Sequence, residues 1–521
     1  MKIHKVLLTS FLLLTYFLTY AQSNIDVRAW QLHHLDVEYC KKVIDRSKDY
    51  NINTIILSHG IIWTTMQLYD KSSHGKPDAT RPGKIRELAQ YIKSKGLKTW
   101  IWTHEFADVP SKYLENDIVQ MDRRGFWKWL EGRYDQVLKE FPEFDGFLIT
   151  FHEAQYRIFN NAQVNSKLPM PERFQKLINV LHKACKKYGK DLVVRTFVYE
   201  PEQLKWLEEG LQKVDDDIIV QSKCVPHDWQ PFYPHNPVIG KFKGKKQIVE
   251  FDGSSEYTGR NHIPYTSPEY FSYRWQHGLQ FPQVVGYNAR IDHGGYDALF
   301  TPNEINIYTL HRVTENPNIT ADEIWSEWAK ERYGEAAAGE IISILKPSFE
   351  IVNKLFFPYG VWFTDHTKLP HFEYANSHIT YINKWDAANY ATTTQKLLEP
   401  GMETFRGLLA EKDTAIALVQ RSLWRLHQAR PKLREQDYDD LNERLLLMMQ
   451  TAMIWRYHAE AFFGYKLLED HPELQPVILN AINNLKTMAK NIPEDQLRKP
   501  VARRDNILEI ALELEGMIKN K

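Results

Sequence analysis

The sequence predicts an α/β chain: a closed (β/α)8 barrel over residues 22–317, followed by an all-α region over residues 318–521. Two observations carry this. Between Asp26 and about Asn316, short β-branched and aromatic runs alternate with helical-period runs, and after Asn318 the strand signal stops. Strands joined by helical crossovers form a parallel sheet, and eight such units close it into a barrel. A doubly wound open sheet needs fewer strands and a glycine-rich nucleotide turn, and no GxGxxG is present.

In order, the strand segments are VRAWQLHH (27–34), INTIILSHG (52–60), LKTWIWTHE (97–105) and DGFLITFHE (145–153). DLVVRTFVYE (191–200), DIIVQSKCV (217–225), QIVEFDGSSE (247–256) and QVVGYNARID (283–292) complete the set. Amphipathic runs such as GKIRELAQYIKSKG and RFQKLINVLHKACKKYG separate them, with Gly96 and Gly189 at helix ends. The sixth-to-seventh connection, VPHDWQPFYPHNPVIGKFKGKK, lacks helical period, and long irregular loops of this kind are often functional. Beyond the barrel, Thr320 and Glu323 form a capping box. Leu441, Leu445, Met448, Met449, Ala452 and Trp455 share one helical stripe, as in a bundle core. The segment FFPYGVWFTDHTKLPHFEY (356–374) interrupts these helices and is long enough to reach back over the barrel.

Composition sets the compartment and excludes several functions. Lys2 and Lys5 precede an apolar run from Val6 to Tyr20 that ends at Ala21, the layout of a secretory signal over residues 1–21, too short for a membrane span. The expected mature chain is exported, periplasmic or secreted, with no membrane span. Charges balance at 66 Lys+Arg against 66 Asp+Glu, which argues against nucleic-acid binding by bulk charge. Cys40, Cys185 and Cys224 are too few and too odd for a disulfide framework. His152-Glu153 opens like an HExxH zinc motif, but position 156 is Tyr, so neither metal nor cofactor is indicated.

Reactive residues of such barrels sit at the C-terminal ends of strands. Those ends carry an acidic ring of Glu105, Glu153, Glu200, Asp228, Glu256 and Asp292. An exported barrel with a carboxylate-lined mouth and aromatic loops fits glycosidic bond cleavage, which uses one protonated carboxylic acid and one carboxylate base or nucleophile. Glu153 is the candidate acid: strand alternation places it with Phe147, Ile149 and Phe151, apolar neighbours that would raise its pKa. Asp228 and Glu256 are further catalytic candidates, with Trp229 and Tyr257 beside them. Asn288, in the eighth strand, is a further substrate-binding candidate. Arg195 and Lys223, each inside an apolar strand, must find an anion, either a structural acid or a substrate carboxylate.

DGFLITFHEAQ, VVRTFVYEP, IIVQSKCVPHDWQPFYPHNP, VEFDGSSEYTG and NITADEIWSEWAKERYG, in this order, resemble segments of glycoside hydrolase family 67, the α-glucuronidases. The resemblance implies Glu153 as general acid, Asp228 and Glu256 as the pair that activates water in an inverting displacement, and Arg195 and Lys223 as holders of a uronate carboxylate. Ile149 stands where the family has Lys, and Ala154 to Ile158 replace the family's Gly-Gln-Pro-Gly-Pro. The family's N-terminal β domain is not expected, since the barrel starts almost at the cleavage site. The expected function is therefore an exo-acting, inverting glycosidase removing a terminal α-linked uronic acid from an oligosaccharide. The same chemistry on a neutral sugar, a non-catalytic glycan-binding barrel and a polysaccharide lyase are the alternatives. The helical region serves a homodimer, as the resemblance suggests, or buttresses the barrel.

Overall fold

The computed structural model describes residues 25–293, 296–492 and 503–520. The expected export signal lies outside them. Eight parallel strands close into a barrel: β1 (Val27–Leu32), β2 (Thr54–Leu57), β3 (Lys98–His104), β4 (Gly146–Thr150), β5 (Asp191–Arg195), β6 (Ile219–Lys223), β7 (Gln247–Asp252) and β8 (Val284–Arg290). Closure is explicit in the register, where Ala29 of β1 pairs with both Thr54 of β2 and Asn288 of β8. Gly286 makes that seam fit, because a Cβ there would run into the Val27 carbonyl.

Strand alternation sorts the barrel interior into layers. Ala29, Ile56, Trp100, Trp102, Leu148, Val193, Ile219, Ile248 and Val285 form an apolar plug. Further along the same strands, the inward positions turn polar: Gln31, His104, Arg195, Gln221, Glu250 and Asn288, all buried. On the outer face, Phe147 meets Tyr134 at 4.8 Å between ring centroids and Phe151 meets Phe174 at 4.7 Å.

Crossover helices α1 (Val37–Arg46), α2 (Arg81–Ser94), α3 (Phe126–Glu140), α4 (Met170–Lys187), α5 (Pro201–Leu211) and α6 (Pro268–Leu279) surround the barrel, and α7 (Glu304–Glu315) follows β8. Only the β6–β7 connection among these crossovers has no helix. It is pinned instead by Asn236, whose backbone N–H donates to the Cys224 carbonyl (3.1 Å) and whose amide donates to Val225 (3.2 Å).

The helical region begins with α8 (Ala321–Tyr333), where Thr320 and Glu323 make the expected reciprocal cap at 3.2 and 2.8 Å. Then come α9 (Glu335–Leu345), α10 (Ser348–Phe356), α11 (Phe372–Ile379), α12 (Asn383–Leu398), α13 (Met402–Ala429), α14 (Glu435–Leu467), α15 (Gln475–Lys490) and α16 (Arg504–Lys519). Leu441, Leu445, Met448, Ala452 and Trp455 of α14 are buried, as a bundle core requires. Between α10 and α11 the chain leaves this bundle and crosses the barrel mouth. Phe363 anchors it, stacked on Phe463 (5.3 Å) and edge-on to Phe462 (5.0 Å). No described helix is long and apolar enough to cross a membrane.

Candidate active site

The barrel mouth and the crossing segment enclose a cavity of about 330 Å³. Glu153, Asp228 and Glu256 line it together with Arg195, Lys223 and Arg290, under Trp362, His366, Tyr374, His378 and Tyr381. That volume lies at the small end of the ligand-cavity range.

Each carboxylate has its own cation. Arg290 Nη1 donates to Glu256 Oε2 at 2.7 Å, with His293 and His366 at 3.6 and 3.5 Å from the other oxygen. Glu256 is set by its turn: Asp252, half-buried, accepts from the Glu256 backbone N–H at 2.8 Å and from Ser254. Gly253 is required there, since a Cβ would collide with Ile307 and lie 2.7 Å from the Arg290 carbonyl. Lys223 Nζ donates to Asp228 Oδ1 at 3.1 Å, and the His227 ring lies 3.3 Å from Oδ2. Asp228 adopts φ +43°, a left-handed conformation costly for a non-glycine residue and concentrated at functional sites. Arg195 is clamped from below by Glu250, with Nε at 2.7 Å and Nη2 at 3.0 Å from the two oxygens, while Gln221 completes that carboxylate at 3.0 Å. This leaves Nη1 facing Glu153 at 3.8 Å.

These contacts set the protonation states. Burial pushes Glu256 up, but Arg290 and the rings of His293 and His366 outweigh it and hold the carboxyl well below the usual range. Burial opposes ionisation of Asp228 too, and Lys223 and His227 reverse it. Burial lowers Lys223 against the pull of Asp228. Partial desolvation raises Glu153, yet His104, His59 and Arg195 bring it well below the usual carboxylate value.

The last point corrects a sequence expectation. Strand β4 ends at Thr150, so Glu153 no longer follows its alternation. Phe147, Ile149 and Phe151 pack outward under the helices, whereas the Glu153 side chain is 40% exposed and has His104 Nε2 at 3.9 Å. Ile149 is fully buried in the outer core and does not line this cavity.

The acidic ring is also smaller than the strand ends suggested. Asp292 is buried as a cap, accepting from the backbone N–H groups of His33 (2.7 Å) and His34 (2.9 Å), with burial raising it to about 6. Glu200 opens α5 and pairs with Lys384 at 2.6 Å. Glu105 is sealed in the interior, where burial, only partly offset by Arg133, pushes it up to about 8. Two of the candidate binding residues stand off the cavity lining. Asn288 is fully buried, donating to Gln31 at 2.6 Å, because its strand position faces the barrel interior below the mouth. Trp229 backs the site, its ring 4.4 Å from Lys223 Nζ. Tyr257 lines the cavity, stacked on His366 at 4.9 Å.

Sequence reasoning passed over Glu250, Arg290 and His104, and it read the roof only as a segment, 356–374, long enough to reach back over the barrel. Arg290 had a readable signal, a charged residue on an inward position of the apolar eighth strand. Which roof side chains line the cavity had no such signal, since the interrupting segment shows its length but not its path.

Fold and site together define a closed (β/α)8 barrel whose mouth, at the C-terminal ends of the strands, carries three carboxylates. Residues 78–285 match the Glycosyl hydrolase family 67 middle domain. Its similarity to curated relatives is low: 22% identity over 242 residues to the "Probable alpha-glucuronidase A" of Aspergillus flavus, covering 40% of this chain and 27% of that protein. The "Alpha-glucuronidase" of Hypocrea jecorina is also 22% identical, over 243 residues and the same shares of the two chains. The match thus spans little more than a quarter of those relatives. A solved GH138 enzyme targeting pectin rhamnogalacturonan II shares the fold through the helical region, with TM-score 0.61 at 11% identity, covering 96% of this chain and 68% of that one.

Proposed function

We propose that the protein is an exo-acting, inverting glycosidase that removes a terminal α-linked uronic acid from an oligosaccharide. The observation that carries this is one small, roofed cavity in which three carboxylates and three cations meet. A closed cavity suits the end of a chain. Arg195 Nη1, the guanidinium nitrogen not taken by Glu250, and the ammonium of Lys223 are the donors for the sugar carboxylate. The name alpha-glucuronidase that the curated relatives carry supports the same sugar class. The export expected from residues 1–21 suits a polymer-derived substrate outside the cytoplasm.

In this reading Asp228 and Glu256, held ionised by Lys223 and Arg290, orient a water, and one of them takes its proton as its oxygen bonds to the anomeric carbon. Glu153 gives a proton to the glycosidic oxygen as that carbon–oxygen bond breaks. The empty site favours ionised Glu153. A bound uronate that recruits Arg195 Nη1 removes one cation from beside it and adds a negative charge, and both changes raise its affinity for a proton.

The test is incubation with defined uronic acid oligosaccharides while the anomeric proton of the released sugar is followed by NMR. Initial release of the opposite anomer is expected. Release of the same anomer contradicts inversion, and cleavage confined to neutral terminal sugars overturns the uronic acid specificity. An unsaturated, ultraviolet-absorbing product would indicate a lyase.

A further inference from the structure

A second cavity, of about 570 Å³, adjoins the first and shares Tyr199 and Tyr381 with it. It is lined by His152, Arg157, Phe159, Asn160, Asn161, Glu200 and Gln203 as well. We infer that this cavity is the subsite for the leaving group, and that it selects a second sugar bearing a carboxylate. The inference rests on the reading of the first cavity given above.

Its place follows from Glu153. A general acid stands between the sugar being released and the oxygen it protonates, so the leaving group lies on the acid's side of the cleaved bond. Glu153 faces the first cavity and its neighbour His152 the second, and the same turn then presents Arg157.

Its chemistry follows from which polar atoms the protein has already used. The Asn160 oxygen accepts from the Ala162 backbone N–H at 2.9 Å, and the Asn161 oxygen accepts from Arg173 at 2.9 Å. The Gln203 oxygen accepts from the N–H groups of Tyr199 and Glu200, both at 3.1 Å. Three amides are thereby fixed with their NH2 ends as the free polar ends. Glu200, the acid on this wall, is paired with Lys384. Arg157 stacks over Tyr199 at 5.5 Å, and among the described residues its guanidinium has no carboxylate within ion-pair distance. His152 is 2% exposed, and neither of its ring nitrogens has a hydrogen-bond partner. Burial keeps that ring neutral, with a pKa lowered to about 3, and it backs the wall, packed against Phe159 and Tyr199. A wall of spare donors, one unpaired guanidinium and aromatic rings fits an acidic sugar better than a neutral one.

The test uses two disaccharides with the same terminal α-linked hexuronic acid, differing only in whether the second sugar carries a C6 carboxylate or a hydroxymethyl group. Wild-type kcat/KM is expected to favour the acidic one by about tenfold or more, mainly through KM, as for a charge-assisted contact. In Arg157→Gln the ratio is expected to fall below about twofold, and in Arg157→Lys to be partly retained. Equal cleavage of both by wild type, or a ratio untouched by Arg157→Gln, overturns the subsite while leaving the hydrolase reading intact. Calorimetric binding to the Glu153→Gln variant separates the two proposals. Tighter binding of the acidic disaccharide that requires Arg157 supports the subsite even if wild type cleaves neither. Equal or absent binding of both in that variant overturns it.

Discussion

Floor and roof of the site are built by different physics. The floor, from β5 to β8, positions Arg195, Lys223, Glu250 and Arg290 by strand alternation, each side chain set by its register. The roof, residues 357–381, has no such lattice. It is held by Phe363 in the helical core on one side and by weak polar ties to the barrel on the other, where Tyr381 donates to the Tyr199 carbonyl at 3.3 Å and Lys384 pairs with Glu200. In the proposed reading the floor supplies the reacting groups and the roof limits how much of a glycan chain can enter. Changes to the floor are expected to alter kcat or stability, and changes to the roof to alter KM.

The largest effect belongs to the floor acids. Asp228→Ala and Glu256→Ala are each expected to lower kcat on a uronic acid disaccharide by roughly 10²–10⁴, the range for a lost proton-transfer group. If both variants keep wild-type rates, the assignment of the floor is wrong. Next comes the clamp beneath it. Glu250→Gln leaves Arg195 buried without its counter-charge and is expected to cost about 3–5 kcal/mol, read as a lower denaturation midpoint in urea. Arg195 holds Glu250 below its ordinary carboxylate value against burial, so this stabilisation is present at neutral pH and is lost as pH falls through the depressed folded value. The gap between wild type and variant should therefore narrow in acid. A variant as stable as wild type would show that Arg195 does not depend on this clamp.

For the roof, Trp362→Ala removes a ring that lines the cavity and is expected to raise KM by about tenfold with a smaller change in kcat. An equal fall in kcat with unchanged KM would place Trp362 with the floor. The pH profile sharpens the division further. Glu153 is ionised in the empty site and must be protonated to act, so kcat/KM should rise as pH is lowered from roughly 7.5 to 5, provided Asp228 and Glu256 stay ionised. A flat or opposite trend removes Glu153 as the acid. The smallest effect is expected at the rim, where Lys384→Ala breaks one half-exposed ion pair and should change stability by less than about 1 kcal/mol.

The sequence by itself determined the barrel. Eight strand segments, their order and the helix-free sixth-to-seventh connection are local patterns of period and turn chemistry, and local patterns survive without tertiary context. It also pointed to Arg195 and Lys223, because a charge inside an apolar strand is conspicuous in one dimension. Where it failed, the information was not local. Alternation carried past the end of β4 put Glu153 among phenylalanines, but the strand had already ended and the turn aimed the carboxylate at His104 and Arg195. Of six strand-end acids the sequence singled out Glu153, Asp228 and Glu256, the three in the cavity, and packing shows the others as a buried cap, a paired helix opener and a sealed carboxyl. Tertiary structure alone decided which roof residues line the cavity and the pairing of each acid with its cation. Both depend on long-range burial, which brings residues more than a hundred positions apart, such as Tyr257 and His366, into one desolvated space.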